Sequence, residues 1–361
     1  MEVKQQMINF LLENANPSIK KRVKSEIIGS MTAEESDMYQ QQIMSEPIIQ
    51  KIIANQKETG WIGHIWNGDV YTQGGAVHYL SQKAVNKDTP VLKRAMYAFM
   101  NTPLNDRCFN DRGRVFDEFK YPGMGPNLTR CRYVAIAGYN DVYDISPQIQ
   151  LSLDSFKRFL EIGNVFDILH PMKRGGKTQY VFNDYEKWPC VTHLEILAAT
   201  KEWRSKDNIK KIAKAINEMM KTDNPELVSF IPGSQVGCFG GGLPVQGLTV
   251  MGSGIYPSPI LCPIGHDGKD HNGKYHFTLL ETFARCGIIP YVPELKKIVE
   301  EIANSIDGDG ICRLQNVAED LFRVRTFYGL QLETDWRTKT RKACDITFRA
   351  LLILHYTGML K

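Results

Sequence analysis

The chain has 361 residues, of which 43% are hydrophobic and 23% charged, a composition typical of a globular protein with a buried core. The 44 basic and 40 acidic residues give a formal net charge of +4, and no run of Lys or Arg exceeds three residues, so the charge pattern argues against nucleic-acid binding. No stretch of about 18 uncharged apolar residues occurs, so we expect no membrane span.

The cysteines and the first residues indicate a cytoplasmic protein. Residues 1–18 lack a basic segment followed by an apolar stretch and a cleavage site, so we expect no signal peptide. The eight cysteines form no C-x-x-C pair, and in a chain of this length without a signal they are expected to be reduced thiols. They are Cys108, Cys131, Cys190, Cys238, Cys262, Cys286, Cys312 and Cys344.

The first third of the chain predicts a series of helices. Residues 1–30 read as two helices separated by a turn at 14–17. Thr32 and Glu35 have the spacing of a capping box, which starts a helix that runs toward Gln56. That helix ends in a Q-x-x-x-G-W pattern, from Gln56 through Gly60 to Trp61.

From residue 74 onward the chain predicts helix pairs, each with an apolar inner helix followed by a more amphipathic outer helix. Ser or Asp residues close before a Pro mark the starts of the first two outer helices. The pairs cover residues 74–100, 131–160, 190–220 and 276–306, and a last helix covers 342–361. Three of these starts are separated by roughly 60 residues, which indicates an internal repeat.

The last helix has the most continuous apolar face in the chain. Phe348, Leu351, Leu352 and His355 recur at the spacing of one helical face, and Cys344, Asp345 and Arg349 lie within or next to that apolar surface. Solvated charges are not expected there, so we expect the function to lie where the inner helices converge.

Residues 233–275 interrupt the repeat and predict a Gly-rich insertion. The segment holds 11 of the chain's 29 glycines, too many for a helix, together with apolar residues that favour an ordered lid or plug. We therefore expect a single domain, residues 1–361, that contains this insertion.

Several segments resemble the terpenoid cyclase/protein prenyltransferase α/α-toroid superfamily, in its divergent bacterial prenyltransferase-like branch. They are Asn16-Pro17-Ser18-Ile19-Lys20-Lys21-Arg22, the Q-x-x-x-G-W pattern, the spacing of the helix pairs, and Asp335-Trp336-Arg337 followed by CDITFRALLIL. The resemblance implies an all-α fold, an α/α toroid of five to six helix pairs, whose inner helices surround a central cavity. The chain has no D-x-D-D, no D-D-x-x-D and no recognisable prenyltransferase zinc set, so the resemblance does not extend to a particular activity.

Cysteines recur near the starts of the inner helices and are candidates for thiol chemistry. Cys131, Cys190 and Cys344 are placed in first turns, and His276 takes a similar position in the fourth unit. A thiol at a helix N-terminus beside basic residues has a lowered pKa, which favours a nucleophile or an acid–base group. His193, Glu195 or His276 would be its partner. The alternative is that these cysteines are small buried hydrophobes.

Metal binding and carboxylate chemistry are further possibilities. Cys190 and His193, together with Cys344 and Asp345, have the ligand types of a zinc site, although we predict no cofactor. Glu195 and Glu281 share helix faces with apolar residues, and burial of such carboxylates raises at least one pKa for acid–base work. Ion pairs are the structural alternative, and Asp345 with Arg349, at i and i+4, is the expected pair.

The sequence thus predicts an enzyme, of lyase or isomerase type, that acts on a small, largely apolar molecule in a central cavity. Cyclase, isomerase, hydratase and lyase reactions all fit acid–base or thiol chemistry. The residues expected to line the cavity are His64, Trp66, Tyr71, Cys131, Tyr133 and Arg349. One alternative is a non-catalytic toroid that binds a ligand or a partner. Another is a carbohydrate-active α/α barrel with Trp61, Trp66, Asp141 and Asp144 facing the substrate.

Overall fold

The computed structural model describes most of the chain and is mostly helical, which confirms the predicted helical class. It describes residues 2–63, 69–101, 125–162, 169–174, 177–182, 189, 191–221, 275–317, 319–322 and 331–360. The α-helices in these ranges are α1 (Glu2–Asn14), α2 (Pro17–Arg22), α3 (Ala33–Met44), α4 (Pro47–Asn55), α5 (Gln73–Gln82), α6 (Pro90–Asn101), α7 (Gly125–Ile136), α8 (Ser146–Ile162), α9 (Val191–Ala199), α10 (Lys206–Lys221), α11 (Phe277–Cys286), α12 (Pro293–Asn304) and α13 (Lys339–Thr357).

Local sequence explains where several helices begin. The predicted capping box is present: Thr32 Oγ1 accepts from the Glu35 N–H at 3.1 Å, and the Glu35 carboxylate accepts from the Thr32 N–H at 3.1 Å. Asn16 caps α2, and Pro17 occupies its first turn. α2 then continues as a π-helix, Val23–Ile28, which ends at Gly29 in the left-handed region.

The helices divide into inner and outer ones, as the alternation of apolar and amphipathic segments predicts. Residues 73–80 of α5 and 344–354 of α13 are buried throughout, whereas α6 and α12 bury one face only. Contacts join α5 to α7, α7 to α9, α9 to α11, and α11 to α13. α13 in turn contacts α1, α2 and the π-helix, so the inner helices form a continuous packed series.

Two tight turns repeat the same hydrogen bonds in front of two inner helices. In the first, the Lys57 N–H donates to the Trp61 carbonyl and the Gly60 N–H to the Lys57 carbonyl. In the second, the Asp307 N–H donates to the Ile311 carbonyl and the Gly310 N–H to the Asp307 carbonyl. Each turn leads to an N–H that donates to a side chain of the following inner helix: Ile62 to Gln73 at 2.7 Å, and Cys312 to Thr347 at 3.0 Å. The same arrangement, a tight turn bonded to the inner helix that follows it, therefore occurs twice in the described residues.

One element differs from the sequence prediction. β1 (Leu169–Arg174) and β2 (Lys177–Phe182) pair antiparallel, with Leu169 opposite Phe182 and Arg174 opposite Lys177, in a stretch for which no strand was predicted. Apart from Tyr275, the predicted insertion lies outside the described residues, so its order stays a prediction. Within the described ranges, no helix combines the length and the apolar character needed to cross a membrane.

Candidate functional site

Charged side chains from four inner elements meet in the core. We call Arg22, Glu26, Gln82, Glu281, Arg285 and Arg349 the central ion cluster. Glu281 on α11 accepts from Arg349 on α13 at 2.9 Å and from Arg285 at 2.9 Å, and Arg22 Nη2 lies 3.8 Å from it. Gln82 Oε1 on α5 accepts from Arg349 at 2.9 Å and from Arg22 at 3.2 Å. The cluster therefore links α2, α5, α11 and α13 through side chains alone.

The cluster extends from a closed centre toward solvent. Arg349 is 0% exposed, whereas Arg285 and Glu26 are partly exposed. Arg285 donates to Glu26 at 2.7 Å and to the Tyr356 hydroxyl at 2.9 Å, and its guanidinium group lies 4.4 Å from the centroid of that ring. The outer end is thus formed by one arginine, one carboxylate and one tyrosine.

Glu281 is an ionised carboxylate and not the buried acid considered from the sequence. Burial alone would raise its pKa, but Arg349, Arg285 and Arg22 together outweigh burial and lower the pKa to about 2. Burial was expected to raise the pKa of at least one of Glu195 and Glu281; for Glu281 the pKa is lowered, because three arginines that the sequence does not place there surround it. Its ion-pair alternative is the one that the structure contains.

A second ion pair lies at α7 and α9. Arg132 Nε donates to Glu195 Oε2 at 2.6 Å and Arg132 Nη2 to Glu195 Oε1 at 3.0 Å, a bidentate geometry in a buried position. Glu195, one of the predicted acid–base residues, is therefore held by a guanidinium group. Removal of Arg132 would leave the buried Glu195 carboxylate without this counter-charge.

His78 on α5 is influenced electrostatically by charges of both groups, and it has no hydrogen-bond partner among the described residues. It is 8% exposed, and neither ring nitrogen has a hydrogen-bond partner among the described residues. Burial lowers its pKa well below the ordinary value, and Arg132, Arg349 and Arg22 lower it further, while Glu281 opposes them. His78 is therefore a neutral imidazole at physiological pH, with one N–H donor and one free nitrogen acceptor.

The geometry of α5 explains why His78 points toward these charges. His78 and Gln82 are four residues apart and share a face of α5. One turn earlier on that face is Gly74, where a Cβ would overlap the phenol of Tyr133. The glycine thus allows α7 to approach α5 closely, and Tyr133, predicted to line the cavity, is fully buried at this contact.

Asp345, predicted to be catalytic, organises a separate buried network. Its carboxylate accepts from the Leu332 N–H at 2.7 Å, the Glu333 N–H at 3.2 Å and Trp336 Nε1 at 2.6 Å. The predicted i, i+4 pair with Arg349 is therefore wrong: Asp345 binds the segment before α13, and Arg349 binds Glu281 and Gln82. The hydrogen-bond donors of that segment satisfy the carboxylate locally.

Lysine and asparagine side chains join this network to the first part of the chain. Lys83, 0% exposed, donates to the Leu332 carbonyl and pairs with Glu46 at 2.6 Å. The side chain of Asn16 also donates to the Leu332 carbonyl, and its backbone N–H donates to Glu333 Oε1 at 2.8 Å. We call these residues, with Asp345 and Trp336, the Asp345 network.

Burial raises the pKa of Asp345 and of Glu333, to about 7 for Glu333. Asp345 raises the pKa of Glu333 further, while the Asn16 N–H and Lys83 oppose the shift. Glu333, which was not a predicted site residue, therefore has a pKa raised into the neutral range.

The thiol prediction fails for Cys344. Burial raises the pKa of its thiol to about 12, and Glu333 and Asp345 raise it further. α13 begins at Lys339, so Cys344 lies beyond the first turn, where the helix dipole would have acted. Cys131 is likewise buried inside α7, which begins at Gly125, and Cys190 lies outside the described residues.

The remaining predicted site residues occupy varied positions. His276 caps α11, since its Nδ1 accepts from the Leu279 N–H at 3.3 Å. His193 is buried on α9, Tyr71 is partly buried beneath the Lys51 ammonium, and His64 and Trp66 lie outside the described residues. In the part of the chain that the structure describes, no three His, Cys, Asp or Glu side chains are placed to hold a metal ion.

Residues of the carbohydrate alternative have local structural roles. Trp61 packs edge-to-face on Phe99 at 6.1 Å. Asp141 pairs with Lys87 at 2.5 Å, and Asp144 accepts from the Ser146 N–H at the start of α8. These contacts do not place the three side chains around a common site.

Three residues of the site were not selected as site residues from the sequence: Arg22, Gln82 and Arg132. A weak signal was available for Arg132, because it interrupts the apolar run of α7 at a position where a solvated side chain is not expected. Comparison of the chain with protein-family models, with curated proteins and with solved structures found no match.

Proposed function

We propose that the chain is an α/α toroid that binds a small molecule at its centre, where His78 contacts it. The packed series from α5 to α13 supports the ring, since α13 contacts α2 and Arg22 at the end of α2 bonds to Gln82 of α5. This last contact returns the series to its first member. The repeated turn before α5 and α13 supports the helix-pair repeat on which a toroid depends.

The observation that carries the proposal is the unpartnered, buried imidazole of His78. A buried polar group without a hydrogen bond costs about 1–3 kcal/mol, and a neutral imidazole has two such groups. An apolar side chain would avoid this cost in an otherwise packed core. A bound molecule that accepts from the N–H of His78 and donates to its other nitrogen would offset it.

The proposal keeps the central small-molecule site expected from the sequence but changes the residues that form it. The expected site used thiols and Glu281, whereas the raised pKa of Cys344 and the lowered pKa of Glu281 disfavour both. An acid–base reaction, of lyase or isomerase type, stays a prediction. His78 would be its first candidate, since its neutral imidazole has a lone pair available to accept a proton.

The test compares His78→Leu with a matched control, His355→Leu, which changes a partly buried histidine at the far end of α13. Native mass spectrometry of the purified full chain detects any bound small molecule, and thermal unfolding reports whether the small-molecule filtrate of a cell extract raises Tm. We expect wild type and His355→Leu to carry or bind a molecule, and His78→Leu to lose it while it remains folded.

Three results together would reject the proposed binding function. If wild type carries no molecule, if the filtrate leaves its Tm unchanged, and if His78→Leu only increases stability, then His78 is an unsatisfied core residue. The proposed binding function would then be rejected.

A further inference from the structure

The two tight turns in front of α5 and α13 each contain a glycine that touches a helix outside the turn. Gly60 has a φ of +88°, and a Cβ on it would overlap the Arg94 carbonyl of α6. Gly310 has a φ of +76°, and a Cβ on it would overlap the backbone of Gln6 and Met7 in α1. The first turn therefore packs on α6, the helix that follows α5 in the chain. The second packs on α1, although α1 lies at the opposite end of the sequence.

α1 also has the register of α6 relative to its turn. α6 begins four residues before Arg94, and α1 begins four residues before Gln6. α5 ends nine residues after Gln73, whose side chain binds the first turn. α13 ends ten residues after Thr347, whose side chain binds the second turn. Since α5 contacts α6 and α13 contacts α1, the helix α1 is placed beside α13 as α6 is placed beside α5.

The buried side chains of α1 fall at the same positions as side chains that α6 buries. When Gln6 is aligned with Arg94, three buried positions of α1 coincide with three buried positions of α6. In α1 these are Met7, Ile8 and Leu11, and in α6 they are Ala95, Met96 and Phe99. The spacing i, i+1 and i+4 forms one face of a helix, so both helices bury an equivalent face.

We propose that α1 is the outer helix of the last helix pair and closes the proposed ring by docking on α13. We call this docked pair of helices, Glu2–Asn14 and Lys339–Thr357, the clasp. The series α12, turn, α13 and α1 then repeats the series α4, turn, α5 and α6. Residues 83–89 join α5 to α6, whereas α13 does not continue directly into α1, so non-covalent contacts hold the clasp together. This inference rests on the ring arrangement of the proposed function, but it requires no bound molecule.

The clasp is the place at which the ring can open without unfolding a loop between paired helices. Local opening concentrates where few chain connections hold an element. The first turn of α1 has no loop to α13, so α1 is expected to separate from α13 more readily than α6 separates from α5. Because α13 provides Arg349 to the central ion cluster, separation of α1 would remove the outer cover of a helix that forms the centre of the ring.

A circular permutant tests the equivalence of the two pairs. Residue 361 is joined to residue 1 through Gly-Ser, which gives α13 and α1 a joint of seven residues, as long as 83–89. The chain is opened between Lys87 and Asp88, so that α5 and α6 become the clasp. Hydrogen exchange followed by mass spectrometry gives the protection factors of α1 and α6 in both proteins. We expect α1 to be less protected than α6 in the wild type, and α6 to be less protected than α1 in the permutant.

If the permutant does not fold, two glycine substitutions decide the question. Gly310→Ala places a Cβ against α1 at a φ of +76°, so it is expected to accelerate exchange of the α1 amides by roughly tenfold while α6 is unchanged. Gly308→Ala, in the same turn but with open space around it, is the control and should leave α1 unchanged. Gly60→Ala should accelerate exchange in α6 instead, because its Cβ meets that helix.

Three results would overturn the clasp. They are an α1 at least as well protected as α6 in the wild type, a folded permutant in which α6 remains the better protected helix, and exchange of α1 that does not respond to Gly310→Ala. All of these measurements are made without a bound molecule. Failure of the clasp therefore leaves the proposed site at His78 standing, and absence of a molecule at His78 leaves the clasp standing.

Discussion

Replacement of Glu333 by Gln is expected to change the pH dependence of stability in a way that no exposed carboxyl group would. Glu333 is 4% exposed, accepts from the Asn16 N–H, and lies beside Asp345. Glutamine keeps the size of the side chain and one carbonyl acceptor. It cannot ionise, so it imitates protonated Glu333 at every pH.

The sign of the effect follows from which state binds the proton. The pKa of Glu333 is raised from 4.5 to about 7 in the folded chain, so between these values the folded state holds a proton that the unfolded state has released. The contribution of this proton to stability is complete below pH 4.5 and is lost as the pH rises toward 7. At 1.36 kcal/mol for each pKa unit, the loss is about 3 kcal/mol.

Urea unfolding at several pH values between 5 and 8, followed by tryptophan fluorescence, measures this contribution. Other carboxyl groups titrate in both proteins, so the informative quantity is the free energy of unfolding of Glu333→Gln minus that of wild type. We expect this difference to increase by about 2.5 kcal/mol from the lowest to the highest pH, since part of the change lies below pH 5. Glu58→Gln, at an exposed position, is the control and should show a flat difference.

A flat difference for Glu333→Gln would refute the reasoning. It would mean that the Asn16 N–H and Lys83 compensate the burial of an ionised Glu333 fully. If the difference is flat and Glu333→Gln is less stable than wild type at every pH measured, Glu333 is a stabilising carboxylate, held in the same manner as Glu281, whose titration lies below pH 4.5.

Two further substitutions test the packing of the core. Arg132→Met should reduce the free energy of unfolding by about 3–5 kcal/mol, because it leaves Glu195 buried and unpaired. The double variant Arg132→Met/Glu195→Leu should recover most of that loss, as measured by urea unfolding. Gly60→Ala should cost about 3 kcal/mol, since φ is +88° and a Cβ would overlap a backbone carbonyl of α6. Gly138→Ala, with φ +71° and open space around it, should cost about 1 kcal/mol and serves as the matched control.

Each of these two predictions, for Arg132 and for Gly60, can be contradicted by its own control. If the double variant is as unstable as Arg132→Met, the guanidinium group stabilises the core through contacts other than Glu195. If Gly60→Ala and Gly138→Ala cost the same, then backbone conformation alone, and not the close approach of α6, requires glycine at the first position.

Local chemistry allowed the helices to be predicted, but not their partners. Thr32 and Glu35 act within one turn, so their capping box is visible in the sequence and present in the structure. Arg132 and Glu195 are 63 residues apart, and their pairing depends on how α7 and α9 are rotated against each other. No local pattern records that rotation, and the same limit explains why the arginines around Glu281 were not foreseen.

Errors arose where tertiary contacts outweighed a local rule. Asp345 and Arg349 have the spacing of a helical ion pair, but backbone N–H groups of residues 332 and 333 and the indole of Trp336 satisfy Asp345 instead. The missed strands β1 and β2 flank two consecutive glycines, a recognised hairpin pattern, which was overlooked within a basic stretch. The first error could be avoided only with knowledge of which helix faces contact each other. The hairpin, by contrast, has a local signal in its two glycines.

The Asp345 network also determines when folding can be completed. The bond between the Asn16 N–H and Glu333 spans 317 residues, and Lys83 donates across 249 residues to Leu332. A ribosome that adds about 5–20 residues per second needs roughly 15–60 s to proceed from the first of these partners to the last. Until then Asn16 lacks Leu332 and Glu333, and Lys83 has Glu46 but lacks the Leu332 carbonyl. The bonds that join Asn16 and Lys83 to residues 332 and 333 can therefore form only after almost the whole chain has been synthesised.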